Sequence, residues 1–278
     1  MSDLKQLLVE LDQRLLSLFN SRSPKKASSE ETSNVNITGD HSLKLDLLME
    51  DEIIAFFREQ DFPCVIEAEE RGRTELVTDP QFLVITDPLD GSNNFRRRIP
   101  LVCYGIAIAA IPKDSSVADF TDIQAAAVRS LFTDEFYLAL KGQGATCNGK
   151  NIWPSKRRKL RRSIISFDLD HAYPRKPDLV ASVMNVVKHC AGTRRFGANL
   201  LDMVYVGAGK VEAMIDLRNN LSVVHSSAAF ISQEAGAVLC TSEGKTFRGK
   251  LVANEHMSFI LAANDSLKGQ ILHYLHAI

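Results

Sequence analysis

An apolar, β-rich run, Phe82-Leu83-Val84-Ile85, leads through Thr86 into Asp87-Pro88-Leu89-Asp90-Gly91-Ser92-Asn93-Asn94-Phe95. This junction constrains the fold more than any other stretch. The run reads as a buried strand. Pro88 cannot donate to a ladder and Gly91 permits a positive φ, so a turn is expected to hang off the strand end. The turn carries two carboxylates, Asp87 and Asp90, followed by the Ser92 hydroxyl and two amides. If a helix opens at Gly91, its first N–H groups lack intrahelical acceptors. Hard anionic oxygens beside such donors suit a divalent cation and a phosphoryl group together. Asp-x-x-Asp-Gly alone also reads as an ordinary turn; the nine-residue string is the more specific signal.

With 278 residues the chain is long enough for one large domain or two coupled ones. Its net charge of -1 offers no overall field that would draw it to nucleic acid or to a membrane surface. The cysteines, Cys64, Cys103, Cys147, Cys190 and Cys240, are odd in number and scattered, which suits a reducing cytoplasm better than a disulfide framework. No apolar run reaches membrane-spanning length, and the first residues show no signal-peptide core. The expected location is therefore cytoplasmic.

Helical spacing of Leu7, Leu8, Leu11, Leu15, Leu16 and Phe19 predicts a helix over 3–20. The Ser-, Thr- and Asn-rich segment 22–40 reads as a loop. Leu45, Leu48, Met49, Ile53, Ile54 and Phe57 mark a second helix. Strand-like runs follow at 64–66, 82–85, 101–111, 123–132 and 136–140, which predict a multi-stranded antiparallel sheet. After residue 150 strands and helices alternate: strands near 164–167, 211–215, 238–241 and 259–263, and helices near 176–190, 198–208 and 223–235. The basic run Lys156–Arg162 reads as a solvated loop between two halves, since no aromatic residue is interleaved to stack bases. Nucleic acid is accordingly disfavoured as a partner. Arg96-Arg97-Arg98 reads as a surface turn or an attractor of anionic substrate.

The string Asp87–Phe95 resembles the signature of the inositol monophosphatase family, and further matches spread over most of the chain. Glu69-Glu70 resembles the family's Glu-Glu pair, whose first Glu binds metal and orients water. Asp46 and Glu50, four apart on the second helix, look like its Asp-x-x-x-Glu, where the Asp acts beside the metal site. Gly142–Gly149 is similar to a structural hairpin, and Glu234-Ala235-Gly236 to a packing motif. Arg195–Asn199 resembles the segment whose backbone borders substrate, and Asp216 stands where an acid holds a substrate hydroxyl. The resemblance implies a layered αβαβα sandwich of the sugar-phosphatase type, with a metal-bearing subdomain over 1–150 and a substrate-recognising one over 151–278. It implies a homodimeric, metal-dependent phosphomonoesterase acting on inositol monophosphate or fructose 1,6-bisphosphate. The alternatives are a 3′-phosphonucleotide phosphatase or an impaired phosphatase-like binding protein.

Carried over residue by residue, the implied metal ligands are Glu69, Asp87, the Leu89 carbonyl and Asp90. Glu69, Ser92 and Asp46 would serve the chemistry. Gly91, Ser92 and Asn93 would hold the phosphate, and Gly197, Ala198, Asn199 and Asp216 the alcohol. Mg²⁺ is the implied cation, with Mn²⁺ as a second option. One departure matters. The family has a further metal-binding Asp shortly before Glu-Ala-Gly, and counting lands here on Val224 or His225. The preferred register gives His225 the position. An imidazole there suits a transition metal better than Mg²⁺. One tight metal, a preference for Mn²⁺ or lost catalysis would each follow from it.

Overall fold

The computed structural model describes residues 2–22, 30–35, 41–114, 117–172, 175–252 and 254–277. In chain order the elements begin with α1 (Ser2–Arg22), β1 (Glu31–Val35), β2 (His41–Leu43), α2 (Lys44–Glu59), β3 (Cys64–Ala68) and β4 (Gly72–Glu75). Next come β5 (Phe82–Asp90), α3 (Ser92–Arg96), β6 (Cys103–Ala110), β7 (Ile123–Ser130), β8 (Glu135–Leu140), β9 (Ala145–Cys147) and β10 (Lys150–Asn151). The second half holds β11 (Ile164–Phe167), α4 (Pro177–Val187), β12 (Gly192–Arg194), α5 (Asn199–Gly207), β13 (Ala213–Ser222), α6 (Ser226–Glu234), β14 (Val238–Cys240), β15 (His256–Ala262) and α7 (Asp265–Leu275).

Two sheets and three helical layers alternate. The first sheet has eight strands in the order β10-β9-β8-β7-β6-β5-β3-β4, the second five in the order β12-β11-β13-β15-β14. Strand periodicity distributes the apolar side chains between layers. From the first sheet, Ile66, Val84, Ile106 and Ile108 meet Leu8, Leu11, Leu15, Met49, Ile53 and Phe57 of α1 and α2. On its other face Val65, Leu83, Ile85 and Ala107 meet Leu200, Val204, Ala228 and Ala229 of α5 and α6, which also touch Met214, Phe259 and Leu261 of the second sheet. The far face of that sheet, with Ile165, Ile215 and Ile260, packs on Val183 and Val186 of α4 and on Leu267 and Ile271 of α7. This is an α+β fold of five layers, αβαβα. Burial on both faces explains why β5 and β6 read as continuous apolar runs.

Several expectations need correction. Segment 22–40 is not all loop: β1 and β2 form an antiparallel hairpin, while 23–29 and 36–40 lie outside the described residues. The polar hairpin escapes a hydrophobicity reading because its anchors are polar. Asn34 Nδ2 donates to Ser42 Oγ at 2.7 Å and to the Glu70 carbonyl at 3.1 Å. The first sheet is not purely antiparallel, since β3 and β5 run parallel with the β4 hairpin taking the edge. The helix α7 was not anticipated, because Lys268, Gly269 and Gln270 dilute the stripe of Leu267, Ile271 and Leu275 that it buries. The Gly-rich hairpin and Glu234 turn out to meet. The Glu234 carboxylate accepts the Gly142 N–H at 2.9 Å and the Gly144 N–H at 3.3 Å.

Candidate active site

Asp87 and Asp90 are three apart, so on a regular strand they would face opposite sides. They do not, because β5 is bulged. Asp87 pairs with Gly105 and Asp90 with Cys103, leaving one extra residue on the β5 side. Pro88, which has no N–H to offer, sits in that bulge. The expected strand-end turn is therefore a bulge within a strand that continues to Asp90. Asp87 Oδ1 accepts the Leu89 N–H at 2.9 Å, and both acids line one cavity. At Gly91 the chain takes φ +93°, and a Cβ there would stand 2.7 Å from the Leu101 carbonyl oxygen. Only glycine fits this corner. The short helix α3 opens immediately afterwards, and Ser92 Oγ donates to the Leu89 carbonyl at 3.0 Å.

The other acids arrive from the first helical layer and the β3–β4 turn. Glu50 accepts the N–H groups of Glu70 at 3.0 Å and Arg71 at 3.1 Å, which fixes the turn carrying Glu69 and Glu70. Asp46, in the first turn of α2, accepts the Leu43 N–H at 2.7 Å through Oδ2, while its buried Oδ1 has no hydrogen-bond partner. Ser42 donates to the Glu70 carboxylate. From the second half, the α5 N-terminus reaches across: the Leu200 N–H donates to Asp90 Oδ2 at 2.6 Å. Asn94 ties the two halves together, donating from Nδ2 to the Leu101 carbonyl at 2.8 Å and the Phe196 carbonyl at 2.7 Å.

The structure separates the two residues between which counting could not choose. Val224 is buried in the main core, whereas His225, at the end of a 3₁₀ turn, lines the cavity. His225 Nε2 lies 3.1 Å from Asp87 Oδ2 and 3.9 Å from Asp90 Oδ1. Its Nδ1 donates to the Ser222 carbonyl at 3.2 Å. One ligand atom each from Glu69, Asp87 and His225 falls within 4.8 Å of the others.

Electrostatically this end of the cavity is overloaded with negative charge. Burial, then the charge of Asp87, pushes Asp90 up to about 6, although the His225 charge and two N–H groups of α5 oppose the shift. Burial, with the charges of neighbouring acids, holds Glu69 and Asp46 well above the ordinary carboxylate range. Burial alone would lower His225, but its hydrogen bond to Asp87 and the charges of Asp87 and Asp90 raise it to about 9. Crowded carboxylates, an imidazole nitrogen and an orphaned buried oxygen at Asp46 form a donor set that fits a divalent cation.

The cavity, about 640 Å³, extends from these acids to a second wall, where arginines stand beside Asp168 and Asp170. Gly91, Ser92, Asn93, Gly197 and Asn199 line the passage between them; Ala198 is buried behind it. Asp216 does not line the cavity. Both its oxygens are taken by Arg218, at 2.9 Å from Nε and 2.7 Å from Nη2, and Arg218 lines the wall in its place. Arg195 and Arg175 join it. The sequence carries no role for these arginines on its face, although Arg195 opens the string Arg195–Asn199 and Arg218 stands two residues after Asp216. Arg96 reaches the rim, paired with Glu31 of the hairpin.

The chain is similar to known proteins. The family description "Inositol monophosphatase family" matches residues 1–278. The chain is 30% identical over 238 residues to a fructose-1,6-bisphosphatase/inositol-1-monophosphatase of Methanothermobacter thermautotrophicus, covering 84% of this chain and 83% of that protein. It is 31% identical over 214 residues to an inositol-1-monophosphatase of Caulobacter vibrioides, covering 75% of this chain and 77% of that one. Its fold matches the crystal structure of an extragenic suppressor protein suhB from Bartonella henselae with a TM-score of 0.80 at 22% identity, covering 98% of both chains.

Proposed function

The chain belongs to the inositol monophosphatase family and is a divalent-metal-dependent phosphatase of small phosphate esters; from that premise we propose that inositol monophosphate and fructose 1,6-bisphosphate are cleaved in the cavity between β5 and β13. One observation carries the assignment of the site: Glu69, Asp87 and His225 present ligand atoms within 4.8 Å of one another, beside Asp90 and the start of α3. Glu69, Asp87, Asp90 and the Leu89 carbonyl would hold the cation. Mg²⁺ and Mn²⁺ both accept such oxygens. When bound, the ion supplies charge neutralisation at the phosphoryl group and acidity to a water.

The chain's own groups supply the rest. Glu69 and Ser92 orient the attacking water, and Glu69 accepts its proton. Asp46 supports this edge from α2, next to Asp87. The N–H groups of Gly91, Ser92 and Asn93 hold the phosphoryl oxygens, because the first turn of a helix leaves such donors unpaired. Gly197 and Asn199 border the alcohol. On the far wall Arg195 and Arg218 are paired with Asp168, Asp170 and Asp216, so that wall ranks neither ester above the other. In this reading residues 1–150 supply the acidic ligands, and 151–278 supply His225 and the recognition surface. A cytoplasmic homodimer is part of the same reading. The free cysteines accord with a reducing compartment, and no helix among the described residues is long and apolar enough to cross a membrane.

The test is phosphate release from both esters by chelator-stripped protein, with Mg²⁺ or Mn²⁺ restored. Metal-dependent release is expected from at least one of them. Silence with every ion and both esters, together with thermal stabilisation by the same esters, would favour the phosphatase-like binder.

A further inference from the structure

Among the described residues, His225 brings the one side-chain nitrogen ligand to the cluster of Glu69 and Asp87, beside Asp90, and its placement is specific. A histidine that merely filled core volume would turn its ring nitrogens to backbone or water. Here Nε2 is aimed at two carboxylates, 3.1 Å from Asp87 and 3.9 Å from Asp90. The opposite nitrogen is locked. Nδ1–H donates to the Ser222 carbonyl, which leaves the Nε2 lone pair as the coordinating site of a neutral ring. Metal-binding imidazoles are characteristically oriented by such an outer hydrogen bond. The 3₁₀ turn that carries the ring is itself held, with Ser222 Oγ accepting the Val224 N–H at 3.4 Å and Val224 buried in the core. An independent sign of a missing ligand lies at Asp46, a side chain 2% exposed that lines the same cavity with Oδ1 unpartnered.

We infer that His225 Nε2 is an inner-sphere metal ligand, and that it turns this site toward a divalent first-row transition ion and away from Mg²⁺. Mg²⁺ demands oxygen ligands and gives up water reluctantly. An imidazole in the first shell removes one anionic oxygen from the set and adds a donor that Mn²⁺, Co²⁺ and Zn²⁺ accept far better. The inference rests on the metal-phosphatase reading of the cavity and deepens it.

Chelator-stripped full-length protein, titrated calorimetrically with Co²⁺ and with Mg²⁺, tests it. Co²⁺ is expected to bind about a hundredfold or more tightly than Mg²⁺ in the parent, and the ratio to fall about tenfold or more in His225→Asp, which restores an oxygen donor. X-ray absorption of the Co²⁺-loaded parent, which needs no variant, is expected to show imidazole scattering. An unchanged Co²⁺/Mg²⁺ ratio in folded His225→Asp, or a cobalt shell without imidazole, overturns the inference. Phosphate release measured alongside separates the two claims: failure with every ion would sink the phosphatase reading, while the cobalt shell still decides nitrogen ligation.

Discussion

Two strands, one in each sheet, break their register where they meet the cavity, and they leave opposite electrostatic results. The β5 bulge, between Asp87 and Asp90, turns two acids inward beside Glu69 and Asp46, with His225 as the neighbouring basic group. The β13 irregularity lies between Asp216 and Leu221. It turns Arg218 inward and pairs it with Asp216 at 2.7 Å and Asp168 at 2.8 Å. At β13 the charges are matched within the protein. At β5 they are not, and in the proposed reading a divalent cation neutralises the excess. Charge balance therefore distinguishes the wall from the floor: one is paired within the protein, the other is left with excess negative charge.

The sharpest way to break this contrast is to neutralise one charge at each site. Asp87→Asn is expected to cut phosphate release by about a thousandfold, because it weakens both cation binding and its alignment. Release within tenfold of the parent would detach the β5 bulge from the chemistry. At the other bulge the expected loss is in stability. Arg218→Met would leave Asp216 and Asp168 buried without their shared guanidinium, a cost of about 3 kcal/mol in denaturant unfolding. An unfolding midpoint equal to the parent's would show that those acids are not matched as described.

A pH series on metal-free protein sharpens the same point. Asp90 at about 6 and His225 at about 9 both stand above their unfolded values, so the native state binds the extra protons. Asp90's contribution is full below its unfolded value and is lost as pH rises through about 6. His225's is full below about 6.5 and is lost as pH rises through about 9. The melting temperature of metal-free protein should therefore fall steadily across that span, and saturating divalent cation should remove most of the slope. A melting temperature that rises with pH in chelator contradicts the charge excess. The smallest effect is expected at the rim: Arg96→Ala removes a half-exposed pair with Glu31 and should change stability by less than about 0.5 kcal/mol.

Much of the fold was legible along the chain. The buried runs of β5 and β6, the apolar stripes of α1 and α2, and the alternation after residue 150 each follow from local periodicity, and together they imply stacked layers. The hairpin of β1 and β2 and the helix α7 were not legible. One is held by side-chain amides and hydroxyls, and the other has a thin apolar stripe. At the site, Asp87, Asp90 and Gly91 stand out because they share one unusual string. Arg218, Arg195 and Arg175 carry no such local mark, and their role depends on which wall they face.

By itself the amino-acid sequence determined which acids, glycines and strand runs this protein has, and with them the layered family to which it belongs. Spacing along a chain reports the face a residue occupies only while the element is regular. At both bulges regularity fails, and there the tertiary structure alone decided that Asp87 and Asp90 face one way, that Arg218 replaces Asp216 at the wall, and that His225 rather than Val224 reaches the acids. The physical reason is that an odd number of unpaired residues in a ladder, one at β5 and three at β13, reverses the facing of those beyond it, and only packing between the two sheets fixes where that reversal falls.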